Sequence, residues 1–206
     1  MELYQKVFDL SRKLIEDSKT NPELDLHRVT DMYDSVGPNQ LLSKQWLVDE
    51  AKQVISQDDI IMIAGAWYGV QSYLLREAGF DNKIFNVDLD VQAKRIGKQI
   101  SPDCTYVAED AISFYMERRN WFTVLINTST EHMEPDEFEL LMRSKPEETL
   151  LICQSNDNWA EDEHINCHDG PNELAAACKL KHIYYQGSKE FNGKWGSYNR
   201  HMVIGR

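Results

Sequence analysis

Residues 60–90 read IIMIAGAWYGVQSYLLREAGFDNKIFNVDLD. An apolar run ends at Gly65, a short turn carries Gly65 and Gly69, a helical pattern starts near Val70, and a second apolar run ends at Asp88. Strand, glycine turn, helix and strand in that order form the front of a nucleotide-binding unit, in which an acid closing the second strand meets ribose hydroxyls. Asp88 stands 23 residues after Gly65, close to the ~20 expected for that acid. Trp67 lies between the two glycines, where a pyrophosphate cradle would want glycine. The pattern taken alone fits equally a glycine turn followed by a helix-capping aspartate, with Trp67 as a core aromatic beneath a cap.

The rhythm continues outward from this stretch. Strand-like runs occur at DIIMIAG, KIFNVDL, CTYVAED, FTVLINTS and TLLICQS. Helical runs separate them, starting near Val70, Val91, Ala111 and Pro135. Asp90 and Asp110 suit N-caps, and Pro135 suits a first helical turn. Alternating strands and helices predict an α/β fold, a Rossmann-like, mostly parallel seven-stranded sheet with helices on both faces. Pro171 opens a short helix through Cys178. LKHIYYQG and SYNRHMVIG then predict a C-terminal antiparallel hairpin, with SKEFNGKWG as turn-rich sequence between them.

The N-terminal part lacks this rhythm. Leu3, Tyr4, Val7, Phe8, Leu14 and Ile15 form a helical stripe. A polar stretch, DSKTNPELDLHR, follows, and VTDMYDSVGPNQ predicts a structured loop ending in Gly37 and Pro38. Ser43 is expected to open a helix with Leu47, Val48, Ala51, Val54 and Ile55 inward. The chain is therefore divided into an N-terminal helical cap, 1–42, and a Rossmann-like domain, 43–206.

The 206 residues carry a formal charge of −12. Such a surface repels polyanions, which favours a small-molecule partner over nucleic acid. No apolar run approaches the ~20 residues that span a bilayer, and the mixed-charge N-terminus is not a secretory signal. Cys104, Cys153, Cys167 and Cys178 form no C-x-x-C pair and read as reduced thiols of a cytoplasmic protein. A monomer or homodimer without a membrane partner is expected.

The whole series resembles the class I S-adenosylmethionine-dependent methyltransferases over residues 43–206. The resemblance rests on five strands plus a hairpin, a glycine turn after the first strand, an acid after the second and EDA after the third. It implies S-adenosylmethionine as cofactor. Gly65, Ala66, Trp67 and Gly69 would then form the loop against its methionine part. Asp88 and Leu89 would lie at the ribose, Asp110 and Ala111 beside the adenine, and Asn127 in the segment INTSTEHM that faces cofactor and acceptor. This cofactor has no phosphate, so its loop tolerates Trp67.

Two departures stand out. Ile63 occupies the place where many members carry an acid, and the D/N-P-P-Y/F sequence of amino-methylating nucleic-acid enzymes is matched only by Asn127. The loop and FNVDLD also resemble, more loosely, nicotianamine synthase-like proteins, which transfer an aminocarboxypropyl group from the same cofactor.

Glu131 and His132, just past the fourth strand, are candidate general bases, with Tyr33 of the cap as a further catalytic candidate. A surface segment leading to Pro135 explains the first two equally well. EHINCH offers His164, Cys167 and His168 at metal-like spacing, but a zinc site needs three or four ligands and no second cluster is evident, so no metal is expected. QSNDNW, after the fifth strand, suits a polar acceptor pocket or a solvated loop. The resulting expectation is transfer of a methyl group to a small polar acceptor. Aminocarboxypropyl transfer or cleavage of the cofactor, nucleic-acid methylation, and cofactor binding without chemistry are the rivals.

Overall fold

The computed structural model describes residues 2–19, 27–194 and 196–206. Seven strands form one sheet in the order β3-β2-β1-β4-β5-β7-β6. They are β1 (Ile60–Ala64), β2 (Lys83–Asp88), β3 (Thr105–Ala108), β4 (Val124–Asn127), β5 (Leu150–Asn156), β6 (Ile183–Gly193) and β7 (Gly196–Gly205). β1 to β5 pair in parallel, whereas β7 runs antiparallel to both β5 and β6.

The central strands are apolar throughout because both faces are covered. Ile61 and Ile63 of β1 pack on one side with Trp46, Leu47 and Leu75, whereas Met62 and Ala64 pack on the other with Ile112, Tyr115, Phe138 and Leu141. The first face is roofed by helices α3 (Pro38–Ala51) and α4 (Val70–Glu77). The second is roofed by α6 (Ala111–Arg118), α7 (Pro135–Ser144) and α8 (Pro171–Ala177). Helix α5 (Val91–Ile100) meets β2, β3 and the N-terminal α1 (Glu2–Ser18). Asp90 and Asp110 cap α5 and α6 by accepting from Gln92 N and Ser113 N, each at 2.8 Å. No described helix is long and apolar enough to cross a membrane.

The N-terminal segment departs from the sequence reading. VTDMYDSVGPNQ is not a loop: it holds most of α2 (His27–Ser35) and the start of α3. Met32 and Ser35 bury one side of α2, while Arg28 reaches across to pair with Asp90. Helix α3 starts at Pro38 rather than Ser43, with proline in its first turn, and so runs through the 42/43 boundary. Residues 20–26, most of the polar stretch, lie outside the described residues.

The C-terminal hairpin is also longer than its sequence suggested. SKEFNG continues β6 instead of turning, and pairing persists to Gly193 opposite Gly196. Phe191 stacks on Tyr198 across the strands at 5.9 Å, which favours extension over an early turn. Trp195 of that segment lies outside the described residues.

Candidate active site

Strand order reverses between β1 and β4, and ligands of doubly wound sheets sit beyond the strand ends at such a switch. A cleft of about 630 Å³ opens there. Its walls include Gly65, Ala66 and Trp67 from the β1 turn, Asp88 and Leu89 from β2, Asp110 and Ala111 after β3, and Asn127 at the end of β4.

The turn after β1 is held in an unusual backbone shape. Gly65, Trp67 and Gly69 all have positive φ, at 62°, 47° and 71°. For Trp67 this left-handed conformation is uphill, so its surroundings must impose it. One restraint is the Trp67 N–H, which donates to Asp88 Oδ2 at 2.7 Å. A second is the indole, half-buried beside Tyr68 at 5.0 Å and packed on a cluster containing Leu3, Val7, Met32 and Val36. Trp67 thus joins the N-terminal helices to the cleft wall.

Asp88 accepts twice from backbone, from Trp67 N at Oδ2 and from Asp90 N at Oδ1 (3.0 Å). Carboxylate oxygens have further lone pairs, so a diol can still be bound. Gly69 plays a different part from its neighbours, because it does not line the cleft. A Cβ there would lie 2.0 Å from Tyr106 Oη, and one at Gly97 would lie 2.4 Å from the same ring. Tyr106 of β3 lies between these two glycines, which lets α4 and α5 approach the sheet.

A second, polar cleft of about 640 Å³ adjoins the first and shares Gln40, Glu131, His132, Glu163 and Arg200 with it. Asp34, Asn156, Asn158, Glu161, Asp162 and His164 add further polar groups to its walls. Tyr33 lines neither cleft; it lies on α2, 43% exposed.

Glu131 is almost wholly buried at 1% exposure. Its Oε1 accepts from Arg200 Nη2 at 2.5 Å and from Asn156 Nδ2 at 2.8 Å, while Oε2 is buried without a hydrogen-bond partner. Two backbone N–H groups, from Ile165 and Asn166, bond to the Glu131 carbonyl and hold the 158–168 loop against it. His132 and His164 meet edge to face at 4.9 Å.

Lys44 reaches the same junction from α3, and its ammonium donates to Gln40. The residue as a whole is half-buried, yet its charged end sits inside the cleft wall. Burial first, then the nearby Arg200 guanidinium, lowers its pKa to about 7.

The EHINCH cluster separates in three dimensions. Cys167 is buried, donates its S–H to Asn156 Oδ1 at 3.3 Å, and is pushed up to about 12 by burial and then by the Glu131 carboxylate. His168 is buried against Ser155, its pKa lowered chiefly by burial. Only His164 faces the cleft, alongside Glu131 and His132. Lys44 and Arg200 were not singled out in the sequence. Arg200 stands among the polar residues that open SYNRHMVIG, so nothing in the local sequence marked it.

The fold is a Rossmann-like, mostly parallel seven-stranded sheet with an antiparallel C-terminal hairpin, and its cleft lies at the switch in strand order. No protein-family model matches the sequence, and no curated protein matches it significantly. Solved structures do match, at low identity. The N-methyltransferase NodS from Bradyrhizobium japonicum, in complex with S-adenosylhomocysteine, superposes with a TM-score of 0.63 at 10% identity, covering 82% of this chain and 88% of that one. An O-methyltransferase from Bacillus cereus, also with S-adenosylhomocysteine, gives 0.60 at 12% identity over 100% of this chain and 91% of that one. A SAM-dependent methyltransferase from Anabaena variabilis gives 0.60 at 10% identity over 76% and 80%. These likenesses establish the shared fold. The looser resemblance to nicotianamine synthase-like proteins gains no support from them.

Proposed function

We propose that the chain is an S-adenosylmethionine-dependent methyltransferase acting on a small polar acceptor. One observation carries this reading: a strained turn after β1, locked to an acid at the end of β2, opens onto a cleft at the switch point of this particular sheet. Two of the structures with the same sheet are complexes with the demethylated cofactor.

In this reading Asp88 takes the ribose diol and Leu89 the sugar face, Asp110 and Ala111 flank the adenine, and Gly65, Ala66, Trp67 and Asn127 surround the methionine part. Helices α1 and α2 act as a cap, tied down through Arg28 to Asp90 and through Met32 to the cluster that holds Trp67. The adjoining polar cleft supports a small polar acceptor. Its Asp34, Glu161, Asp162 and Glu163 oppose a nucleic-acid backbone. Four unpaired, buried thiols fit a reducing compartment such as the cytoplasm.

The reaction places an acceptor lone pair in line with the methyl carbon. The new bond forms as the C–S bond breaks, its electron pair stays on sulfur, and the acceptor's proton passes to a base or to water. His132 is the candidate base. Its Nδ1 faces the Glu163 carbonyl at 3.2 Å, which only accepts, so Nδ1 carries the proton and Nε2 is left to take one. Glu131 is held by Arg200 and serves better to position than to exchange protons.

Calorimetry with S-adenosylmethionine, S-adenosylhomocysteine and NAD tests the cofactor assignment. Saturable binding of the first two is expected, and tight binding of NAD in their place would overturn it. The by-product of turnover tests the group transferred. S-adenosylhomocysteine is expected, whereas methylthioadenosine would replace methyl transfer with aminocarboxypropyl transfer.

A further inference from the structure

At the junction of the two clefts, one carboxylate and two imidazoles converge. The ligating atoms of Glu131, His132 and His164 lie within 4.8 Å of one another, the sole such group of three or more among the described residues. They come from different segments: the first two follow β4, and His164 sits in the loop after β5. We propose that these three residues bind a divalent transition-metal ion, in the Zn²⁺ or Mn²⁺ class, as a site with open positions facing the acceptor cleft.

Three independent features support the assignment. The first is the free oxygen. Glu131 is 1% exposed, and its Oε2 has no hydrogen-bond partner although Oε1 has two. A buried carboxylate oxygen without a donor is costly, and a cation removes that cost.

The second is the orientation of the rings. His132 Nδ1 lies 3.2 Å from the Glu163 carbonyl, and His164 Nδ1 lies 2.9 Å from the Asn158 carbonyl. Carbonyls only accept, so both Nδ1 atoms carry hydrogen and both Nε2 atoms keep a lone pair. Ring N–H groups bonded to backbone carbonyls commonly orient metal-binding histidines. Arg200 and Asn156 do the same for the carboxylate by holding Oε1.

The third is the field around the site. Asp34, Glu161, Asp162 and Glu163 share the polar cleft and favour a cation despite Arg200 and Lys194 in the same cleft and Lys44 beside it.

Ligand chemistry sets the class of ion. Two imidazoles with one carboxylate suit zinc, manganese or iron better than magnesium or calcium, which prefer oxygen. Atoms bound at ~2.0–2.2 Å to one ion lie roughly 3–4 Å apart, so the three ligating atoms, within 4.8 Å of one another, draw closer when the ion binds. Three protein ligands leave room for water or substrate. If the methyl-transfer reading holds, on which this last step rests, the acceptor presents a hydroxyl to the ion. With the ion bound, His132 Nε2 holds the metal instead of acting as base. The bound hydroxyl is acidified, its proton passes to water, and the oxygen lone pair attacks the methyl carbon as the C–S pair returns to sulfur.

The test uses the full chain without an affinity tag, stripped with chelator and titrated calorimetrically with ZnCl₂, MnCl₂ and MgCl₂. One equivalent of Zn²⁺ or Mn²⁺ should bind, more tightly than Mg²⁺. His132→Ala and His164→Ala should each weaken it about tenfold or more, and His182→Ala, a change at an exposed histidine outside the cluster, should not. Absence of saturable binding, or equal affinity in parent and both cluster variants, would overturn the site. Titration of S-adenosylhomocysteine into the same proteins separates the two claims. If the parent fails to bind it, the methyltransferase reading falls while the metal result stands. If the cluster variants bind it like the parent, their loss of metal reflects the ligands and not unfolding.

Discussion

The Trp67 N–H and Asp88 Oδ2 lie 2.7 Å apart, so the acid that faces the cleft also fixes the turn beside it. Asp88 therefore has two duties, and its removal should show both. Asp88→Ala should weaken S-adenosylmethionine and S-adenosylhomocysteine alike by about one to two decades, the loss of a charge-assisted bond worth roughly 1.5–3 kcal/mol. It should also lower the melting temperature, because the N–H groups of Trp67 and Asp90 lose their acceptor. Asp88→Asn keeps one accepting oxygen and should be milder in both. Calorimetry beside thermal denaturation checks this; unchanged affinity would remove Asp88 from the ribose site.

Gly69 yields a different kind of prediction. With φ of 71° and Tyr106 Oη 2.0 Å from its ideal Cβ, even Gly69→Ala must displace the tyrosine. The expected cost is about 1–3 kcal/mol from overpacking and strain. Tyr106→Phe removes the nearest atom and should recover part of that loss in the double variant. The ring carbons would still lie 2.9 and 3.0 Å away, so recovery should be incomplete. Urea denaturation of the four proteins completes the cycle, and strictly additive effects would show that the two residues do not conflict.

These residues show what the sequence could and could not disclose. β1 and β4 were legible as continuous apolar runs because both their faces are buried. The starts of α5 to α7 were legible from caps and proline that act locally. Helix α2 was not, because HRVTDMYDS owes its order to distant partners: Arg28 to Asp90, and Met32 to the cluster around Tyr68. Gly65, Asp88 and Asn127 reach the cleft because the strand order places three turns side by side, and the family resemblance had grouped these residues around one cofactor without giving that order. Arg200 lies 69 positions from Glu131, and no local pattern links the two. Gly69 looked like a ligand-facing glycine, yet its need for hydrogen comes from Tyr106 on β3.

The Glu131–Arg200 pair is buried on both sides, with side-chain exposures of 2% and 10%. Removing one charge leaves the other without compensation, so Glu131→Gln should destabilise the fold by about 3–5 kcal/mol. Arg200→Met should do likewise, and Glu131→Leu with Arg200→Met together should cost far less than the sum of the single changes. A slower reaction in Glu131→Gln is thus interpretable only beside its measured stability. Denaturant titration of the set decides the matter: a near-neutral Glu131→Gln would mean that the pair contributes little.

Lys44 makes stability depend on pH in a direction that can be stated beforehand. Burial and Arg200 lower its pKa to about 7 from an ordinary 10.5. Between those values the unfolded chain holds a proton that the folded chain has released, so stability rises with pH across the window. Below about pH 7 the folded protein carries the full penalty of a charged lysine in the cleft wall; above 10.5 the penalty is gone. Lys44→Met keeps the aliphatic stem and removes the titrating group. The variant should therefore be more stable than the parent near neutral pH, with an advantage that shrinks as pH rises toward 10.5. Paired denaturation curves across that range cancel the titration of all other groups. A difference that stays constant with pH would mean that the Lys44 ammonium remains charged in the folded protein, and that Gln40 and solvent hold it at its ordinary pKa.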